Sequence, residues 1–289
     1  PQRGRALAEQ RRGEGVGGAI RLLAEGMATE VKRPLFSCVV PVKGGRPYLA
    51  EALASLRAQG MGNDLEVIIQ DGDVEPDAGQ SDALNKGFAK AHGAWLFWLN
   101  ADDVLLPGAL RAVARAVRQA NGRSQTVDWV SGNLQYLDSK GHVLRCAWDY
   151  GRKWMYRGLP VRVYGPSSFF RRELYECCQK SGCGFDTNLH YMMDIDLWER
   201  FRKAGFWHHK LARYVWGFRV HGASLTSEDL LGRTPFEMDR EYQLLDRRYG
   251  TCRNGVMSKL NRVVRWLDGS YLHAAFDTWR VAGKAVRLS

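Results

Sequence analysis

An α/β fold with a mostly parallel central sheet is predicted for this chain by three observations. Short apolar segments alternate with amphipathic segments three times between residues 36 and 119. The apolar segments are near-continuous, which is typical of strands covered on both faces. Each of them ends in a polar turn, and parallel strands joined by helices bring such turns to one edge of the sheet.

The first half of the chain contains three predicted strand–helix pairs. Helices are predicted where apolar residues recur at helical spacing, and strands where short apolar runs stop at turn residues. Ser81 is the expected N-cap of the second helix, and Pro107 lies in the expected first turn of the third. The predicted strands are 36–42, 65–70 and 96–100, and the predicted helices are 48–59, 81–92 and 107–119.

The pattern changes after residue 127. Antiparallel strands are predicted on either side of the turn at residues 138–141, and a helical tail at the C-terminus. Further predicted elements are a strand at 214–220 and helices at 171–180, 192–204 and 256–267. The expected organisation is a flexible or peripheral leader (1–33), two halves of one domain (34–126 and 127–246) and a basic amphipathic tail (247–289).

Composition and charge are those of an ordinary globular protein and argue against nucleic-acid binding. The chain has 289 residues, of which 45% are hydrophobic and 25% charged, as in ordinary globular proteins. Its net charge of +11 is concentrated at the ends, and residues 247–289 carry nine Lys or Arg against two Asp. Nucleic-acid binding is therefore not favoured, since such proteins carry their charge on the folded face.

The expected location is cytoplasmic. No apolar run reaches the roughly 18 to 20 residues of a membrane span, and the Gly- and Arg-rich start is unlike a secretory signal. The six cysteines lack metal-ligand spacing and are expected to be reduced thiols.

The segment LFWLNADD, at residues 96–103, is the strongest functional signal. A predicted strand ends at two adjacent carboxylates, Asp102 and Asp103. Ligands of α/β sheets bind beyond the carboxyl ends of the strands, where paired carboxylates can hold a divalent cation and a phosphate. The alternative is that Asp103 only caps the following helix.

The order of these segments resembles the family 2 glycosyltransferases of GT-A fold, over about residues 35–225. The matching pieces are Val40-Pro41-Val42-Lys43, Gln70-Asp71-Gly72-Asp73, SDALNKGFAKAHG, Asn100-Ala101-Asp102-Asp103, PSSFFRRELYE, GFDTNLHYMMDIDLWER and Arg219-Val220-His221. The resemblance implies a Rossmann-like nucleotide-diphospho-sugar transferase fold. Residues 34–126 would bind the nucleotide sugar and residues 127–246 the acceptor.

The same residues suit transfer of a sugar from a nucleotide diphosphate, because the diphosphate leaving group needs a cation. Asp103 is the predicted metal ligand, and Asp102 is placed to meet the ribose or the waters of the metal. His221 is a predicted further ligand of Mn²⁺ or Mg²⁺, with an ordinary surface histidine as the alternative.

Five other positions are predicted to contact the nucleotide sugar. By resemblance Asp71 bonds the pyrimidine base, with a plain turn residue as the alternative. Pro41 and Lys43 flank the nucleotide at the end of the first strand. Asp82 and Asn85 are expected to reach toward the diphosphate or to hold the active-site loops, and helix capping is equally compatible with their positions.

A catalytic base is predicted at Asp194. The acceptor hydroxyl must lose a proton, and a positioned carboxylate is the usual device. Asp194 and Asp196 lie two residues apart near a helix start, so they point in different directions. By resemblance Asp194 is the base. Asp196 is expected to be structural, because negative charge is favourable near a helix N-terminus; the alternative is that both only cap the helix.

The predicted function is an inverting, metal-dependent glycosyltransferase that uses a UDP-sugar, in surface polysaccharide or glycolipid synthesis. A nucleotidyltransferase of related fold and a non-catalytic nucleotide-binding module are the alternatives. The basic tail is expected to associate with an anionic membrane at its inner face, while the competing interpretation is that it packs on the catalytic domain.

Overall fold

The structure, a computed structural model, is built around one mixed β-sheet. It describes residues 33–44, 47–122, 126–150, 163–180, 184–222, 236–250 and 255–288. Within these residues the strands are β1 (Phe36–Val42), β2 (Leu65–Asp71), β3 (Trp95–Trp98), β4 (Val104–Leu105), β5 (Trp129–Leu137), β6 (Val143–Ala147), β7 (Ser168–Arg171) and β8 (His209–Arg219). The helices are α1 (Leu49–Arg57), α2 (Gln80–Lys90), α3 (Ala109–Asn121), α4 (Arg172–Lys180), α5 (Met193–Lys203), α6 (Phe236–Tyr249), α7 (Gly255–Leu267) and α8 (Ser270–Val281).

The first three long strands are parallel, as predicted. β1 pairs with β2 on one side and with β3 on the other. Helix α2 lies close against β1 because residue 87 is a glycine: a Cβ there would lie 2.4 Å from Cγ1 of Val39. The strand–helix alternation in the sequence therefore produces the expected parallel layer, in the order β2-β1-β3.

The rest of the sheet is largely antiparallel. The strand order is β2-β1-β3-β7-β5-β8-β4, with β6 beside β5. β7 runs antiparallel to both β3 and β5, whereas β5 and β8 are parallel. The α/β fold class is confirmed. The short strands β4 and β7 extend the antiparallel part beyond the predicted hairpin. With two and four residues, they are too short to show the alternation of apolar and polar residues from which a strand is predicted.

Three predicted boundaries are corrected. Helix α2 begins one residue before Ser81, with Gly79 as N-cap at φ 125°, and the Ser81 hydroxyl donates to the carbonyl of Leu189 at 2.9 Å. Ser81 therefore ties α2 to a distant segment rather than capping it. Helix α3 begins at Ala109, after Gly108, and no side chain caps it. β8 begins at His209, five residues earlier than predicted.

The C-terminal helices pack on the sheet beside β6. The guanidinium of Arg265 donates to the carbonyl of Trp148 at 2.6 Å, and the His273 ring stacks on the Trp148 ring at 3.9 Å between centroids. The Cys146 N–H donates to Oγ1 of Thr278 at 2.9 Å. One face of the tail is thus part of the folded domain, which is the competing interpretation given above. In the part of the chain that the structure describes, no helix is long and apolar enough to cross a membrane.

The described residues from Pro34 onward form one compact unit. The predicted leader lies, apart from Arg33, outside the described residues. The predicted division at residue 126 stays a prediction, and the sheet contains strands from both sides of it.

Candidate active site

The two aspartates at the end of β3 have different surroundings. Asp103 is fully buried: its carboxylate accepts from the backbone N–H of Arg219 at 2.9 Å and from the amide of Asn100 at 2.9 Å. Burial raises the pKa of the Asp103 carboxyl well above its usual range, and the neighbouring charge of Asp102 raises this pKa further. The predicted metal ligand therefore faces the protein interior, and it does not cap α3.

Unlike Asp103, Asp102 is partly exposed, and it forms a polar pair with His221. Oδ2 of Asp102 lies 3.0 Å from Nε2 of His221, and their side chains are 31% and 16% exposed. Adjacent ligands of an octahedral ion at about 2.1 Å lie about 3.0 Å apart, so this oxygen–nitrogen spacing suits a divalent cation. Among the residues with described positions, no group of three or more His, Cys, Asp or Glu could hold a metal on its own. Beyond this pair, a bound ion would need further ligands, for which the phosphate oxygens of a substrate are suitable.

Arg219 holds this turn in place. Its side chain is fully buried, and Nε donates to the carbonyl of Asp102 at 2.8 Å. Its other nitrogens donate to the carbonyl of Ser139 at 3.2 Å and to the carboxylate of Glu51 at 2.6 Å. Arg219 is the last residue of β8, and His221 follows two residues later. The end of β8 therefore orients the carboxylates that follow β3.

Asp194, the predicted base, lies close to the carboxyl end of β3. A Cβ added at Gly165 would be 2.6 Å from Cζ2 of Trp98 and 3.1 Å from Oδ2 of Asp194. Trp98 ends β3, and Gly165 begins the short turn before β7. The glycine thus provides the space in which the carboxylate lies beside the sheet edge.

Asp196 has the structural role predicted for it. Its side chain is 1% exposed, and its carboxylate accepts from Arg200 at 2.9 Å, from Arg248 at 2.7 Å and from the Tyr249 hydroxyl at 2.6 Å. These bonds join α5 to α6.

Glu241 on α6 was not found by sequence reasoning. Its carboxylate accepts from three consecutive backbone N–H groups, those of His190, Tyr191 and Met192, at 2.7 to 2.9 Å. These groups precede α5, so the anion fixes the segment that leads to Asp194. Nothing in the local pattern around residue 241 indicates this contact, because it spans about fifty residues.

The predicted nucleotide end of the site lies where β1 and β2 finish side by side. Val42 pairs with Asp71, so Pro41, Lys43 and Asp71 share one edge of the sheet. The Asp71 carboxylate accepts from the N–H of Asp73 at 3.0 Å. This bond is typical of a turn residue, which was the alternative to a contact with the base. Nζ of Lys43 lies 3.5 Å from the carboxylate of Asp77. Contacts of Pro41, Lys43 and Asp71 with a nucleotide stay predictions.

Asn85 and Asp82 both form hydrogen bonds within the protein. The Asn85 amide donates to the carbonyl of Phe185 at 2.9 Å and accepts from the Tyr175 hydroxyl at 2.7 Å. Asp82 accepts from the N–H of Ala78 at 3.0 Å and from Lys86 at 2.9 Å. The Asn85 bonds tie α2 to distant segments, whereas Asp82 bonds at the N-terminal end of its own helix, as in helix capping. Contacts of either residue with a diphosphate stay predictions.

Comparisons with known proteins agree with this architecture. Residues 74–178 match the profile of the family described as Glycosyl transferase family 2. An uncharacterized glycosyltransferase of Rickettsia prowazekii is 25% identical, covering 71% of this chain and 70% of the relative, and one of Rickettsia typhi is 24% identical, covering 68% and 67%. The crystal structure of Staphylococcus aureus TarS, residues 1–349, in complex with UDP-GlcNAc aligns with a TM-score of 0.51 at 14% identity, over 66% of this chain. This chain spans 60% of that TarS chain, and the likeness concerns the fold alone.

Proposed function

Because residues 74–178 match glycosyl transferase family 2 and the fold is similar to that of TarS, we propose that the chain belongs to this family and moves a sugar from a UDP-sugar to an acceptor hydroxyl with inversion. Surface polysaccharide or glycolipid synthesis is the proposed setting. The observation that carries the proposal is the Asp102–His221 pair, held at the carboxyl end of β3 by a fully buried arginine. Such support from a distant strand is expected where the side chains that bind a charged substrate must be held in position.

Asp102 and His221 are the proposed holders of Mn²⁺ or Mg²⁺. Their spacing fits adjacent ligand positions, and an imidazole favours Mn²⁺. When bound, the cation stabilises the charge of the departing diphosphate. We assign Asp103 to orientation of the turn, since a buried carboxyl with a raised pKa is a poor ligand for a cation outside it.

Asp194 is the proposed base. The acceptor oxygen attacks the anomeric carbon from the side opposite the diphosphate, and its proton moves to the Asp194 carboxylate. The new carbon–oxygen bond forms as the bond to the phosphate oxygen breaks, which inverts the anomeric centre in one displacement. The closeness of Asp194 to the end of β3 supports this assignment.

The nucleotide is proposed to lie along the ends of β1 and β2. Asp71 would bond the base, and Pro41 and Lys43 would flank the nucleoside. The shared sheet edge supports this assignment, because the three residues lie at paired strand ends.

The metal assignment is tested by thermal unfolding with UDP in the presence and absence of MnCl2. We expect Mn²⁺-dependent stabilisation of the unsubstituted protein by UDP and its loss in Asp102→Asn, because the only change is the ligand charge. Asp103→Asn is the matched control: it should unfold at lower temperature yet keep the response. An Asp102→Asn variant with the full Mn²⁺-dependent shift, or an unresponsive Asp103→Asn variant that is well folded, would overturn the assignment. A panel of nucleotide sugars tested for slow hydrolysis then identifies the donor.

A further inference from the structure

The C-terminal helices have two opposite faces. Inward, the polar side chains of α7 and α8 meet the sheet domain, as Arg265 does at Trp148 and Thr278 at Cys146. Tyr214 of β8 also donates to Asp277 of α8 at 2.8 Å. Outward, the two helices expose large apolar side chains, namely Leu260, Val263, Trp266, Leu267, Leu272, Phe276 and Trp279.

Helical geometry shows that these faces are opposed. In α7, Val263 and Leu267 are two residues from Arg265 in either direction, about 200° around the helix axis. In α8, Leu272, Phe276 and Trp279 recur at spacings of four and three, so they form one stripe. The buried residues Ser270 and Ala274 and the inward-bonded Asp277 lie on the other side. The exposed stripe is therefore not a misplaced core face, since the core side of each helix is already occupied.

The exposure of this surface is large for a globular protein. Trp279 is 80% exposed, Leu267 77% and Trp266 65%. Isolated exposed apolar residues are ordinary, but apolar stripes on two consecutive helices mark an interaction surface. Tryptophan is enriched where one side of a surface meets lipid and the other meets water.

The charges around the stripe have one sign. Lys259, Arg262, Arg280, Lys284 and Arg287 are all exposed. The guanidinium of Arg280 lies 5.7 Å from the centre of the Phe276 ring, so a cation borders the apolar stripe directly. The acidic residues of this segment are Asp268 and Asp277, and both accept bonds within the fold, from Ser270 and Tyr214.

We propose that the outward face of α7 and α8 binds the surface of an anionic lipid bilayer. Apolar and aromatic side chains would enter the boundary between headgroups and acyl chains, while the flanking cations pair with lipid phosphates. A second copy of the chain is disfavoured as the occupant, because two faces of the same positive charge would repel each other. The surface would keep the enzyme beside a lipid-linked acceptor, but the binding itself does not depend on the proposed transfer reaction.

The test is co-sedimentation of the full chain with vesicles, using binding rather than activity as the readout. Vesicles of equal phosphatidylglycerol and phosphatidylcholine should sediment the protein, and pure phosphatidylcholine should do so far less. Trp266→Ser/Trp279→Ser should weaken partitioning by about tenfold or more, given the apolar area removed. Lys259→Gln/Arg280→Gln should weaken it by about fivefold for each charge.

Matched controls separate this surface from general stickiness. Phe236→Ser removes an aromatic ring that is 82% exposed on another helix, and Arg115→Gln/Arg118→Gln removes two charges from α3. Both controls should sediment like the unsubstituted protein, and thermal unfolding checks that every variant is folded. The proposal is overturned if no anionic vesicle binds the protein, if the tryptophan variant binds as well as its control, or if the stripe proves to be a dimer interface by concentration-dependent molar mass.

Discussion

At the scale of single residues, the site distinguishes carboxylates that are close neighbours in the chain. Asp102 is partly exposed beside His221, while Asp103 is buried against Arg219 and Asn100. Asp194 lies beside Gly165, while Asp196 is bonded to three side chains of α5 and α6. In both pairs the partner that is fully buried serves the fold, because a buried charge must be satisfied by protein groups.

The second pair gives a prediction about activity and stability. Asp194→Asn should lower sugar transfer by about 10²-fold or more without changing UDP-sugar affinity, the usual effect of losing a positioned base. Asp196→Asn should instead lower the free energy of unfolding by about 3 kcal/mol, because Arg248 loses a buried anionic partner. Steady-state kinetics and urea unfolding of both variants check this. If Asp196→Asn were stable but inactive and Asp194→Asn nearly normal, the two roles would be reversed.

At the scale of elements, the site depends on close approach between separate pieces of chain. The turn before β7 touches both the ring of Trp98 at the end of β3 and Asp194 at the start of α5. Glu241 of α6 fixes the segment before α5 through backbone N–H groups, and Arg219 of β8 fixes the turn after β3. Each catalytic candidate is thus held by an element other than its own.

Gly165→Ala tests this packing. The added methyl group would meet the Trp98 ring at 2.6 Å and the Asp194 carboxylate at 3.1 Å, so something must shift. We expect about 1 to 3 kcal/mol of destabilisation and a fall in turnover larger than any change in UDP affinity. Gly122→Ala is the control, since its nearest atom would be 3.6 Å away. Equal kinetics for the two variants would show that Gly165 provides no necessary space.

At the scale of the whole molecule, the charge of a tail residue acts on a partly buried lysine of the sheet, Lys210. Lys210 of β8 donates to the carbonyl of Gly132 at 2.6 Å. Burial lowers the pKa of Lys210 to about 8; the carboxylate of Asp149 raises this pKa, and the charge of Arg265 from α7 lowers it further. Because Arg265 belongs to the tail, docking of the tail raises the free-energy cost of keeping Lys210 protonated in the folded protein.

The pH dependence of stability follows from this lowered pKa. Between pH 8 and about 10.4, the ordinary pKa of lysine, the unfolded chain holds a proton at residue 210 that the folded chain has released. Stability attributable to Lys210 therefore rises with pH across this window, and the penalty is complete below pH 8. Lys210→Met removes the penalty, so its Tm minus that of the unsubstituted protein should fall as pH rises from 8 to 10. Lys140→Met, at an exposed turn, should show no such trend; a difference independent of pH for Lys210→Met would contradict the prediction.

The sequence by itself determined the alternation of strands and helices in the first half, the polar turns at one sheet edge and the resemblance to a glycosyltransferase family. These follow from local patterns, since apolar periodicity and turn residues act over a few positions. For the same reason β1 was predicted with its observed bounds, whereas β4, β7 and the start of β8 were not.

Which of the two adjacent aspartates is partly exposed and which is buried depends on contacts between distant parts of the chain. Arg219 lies 116 residues after Asp103, and Glu241 about fifty residues after the backbone groups that it binds. Such contacts depend on how strands pair across the sheet, and no local pattern in the chain encodes them. The same holds for the tail, whose amphipathic pattern and charge can be predicted from the sequence. Which of its faces meets the sheet depends on contacts with distant strands and loops, at Trp148, Cys146 and Tyr214.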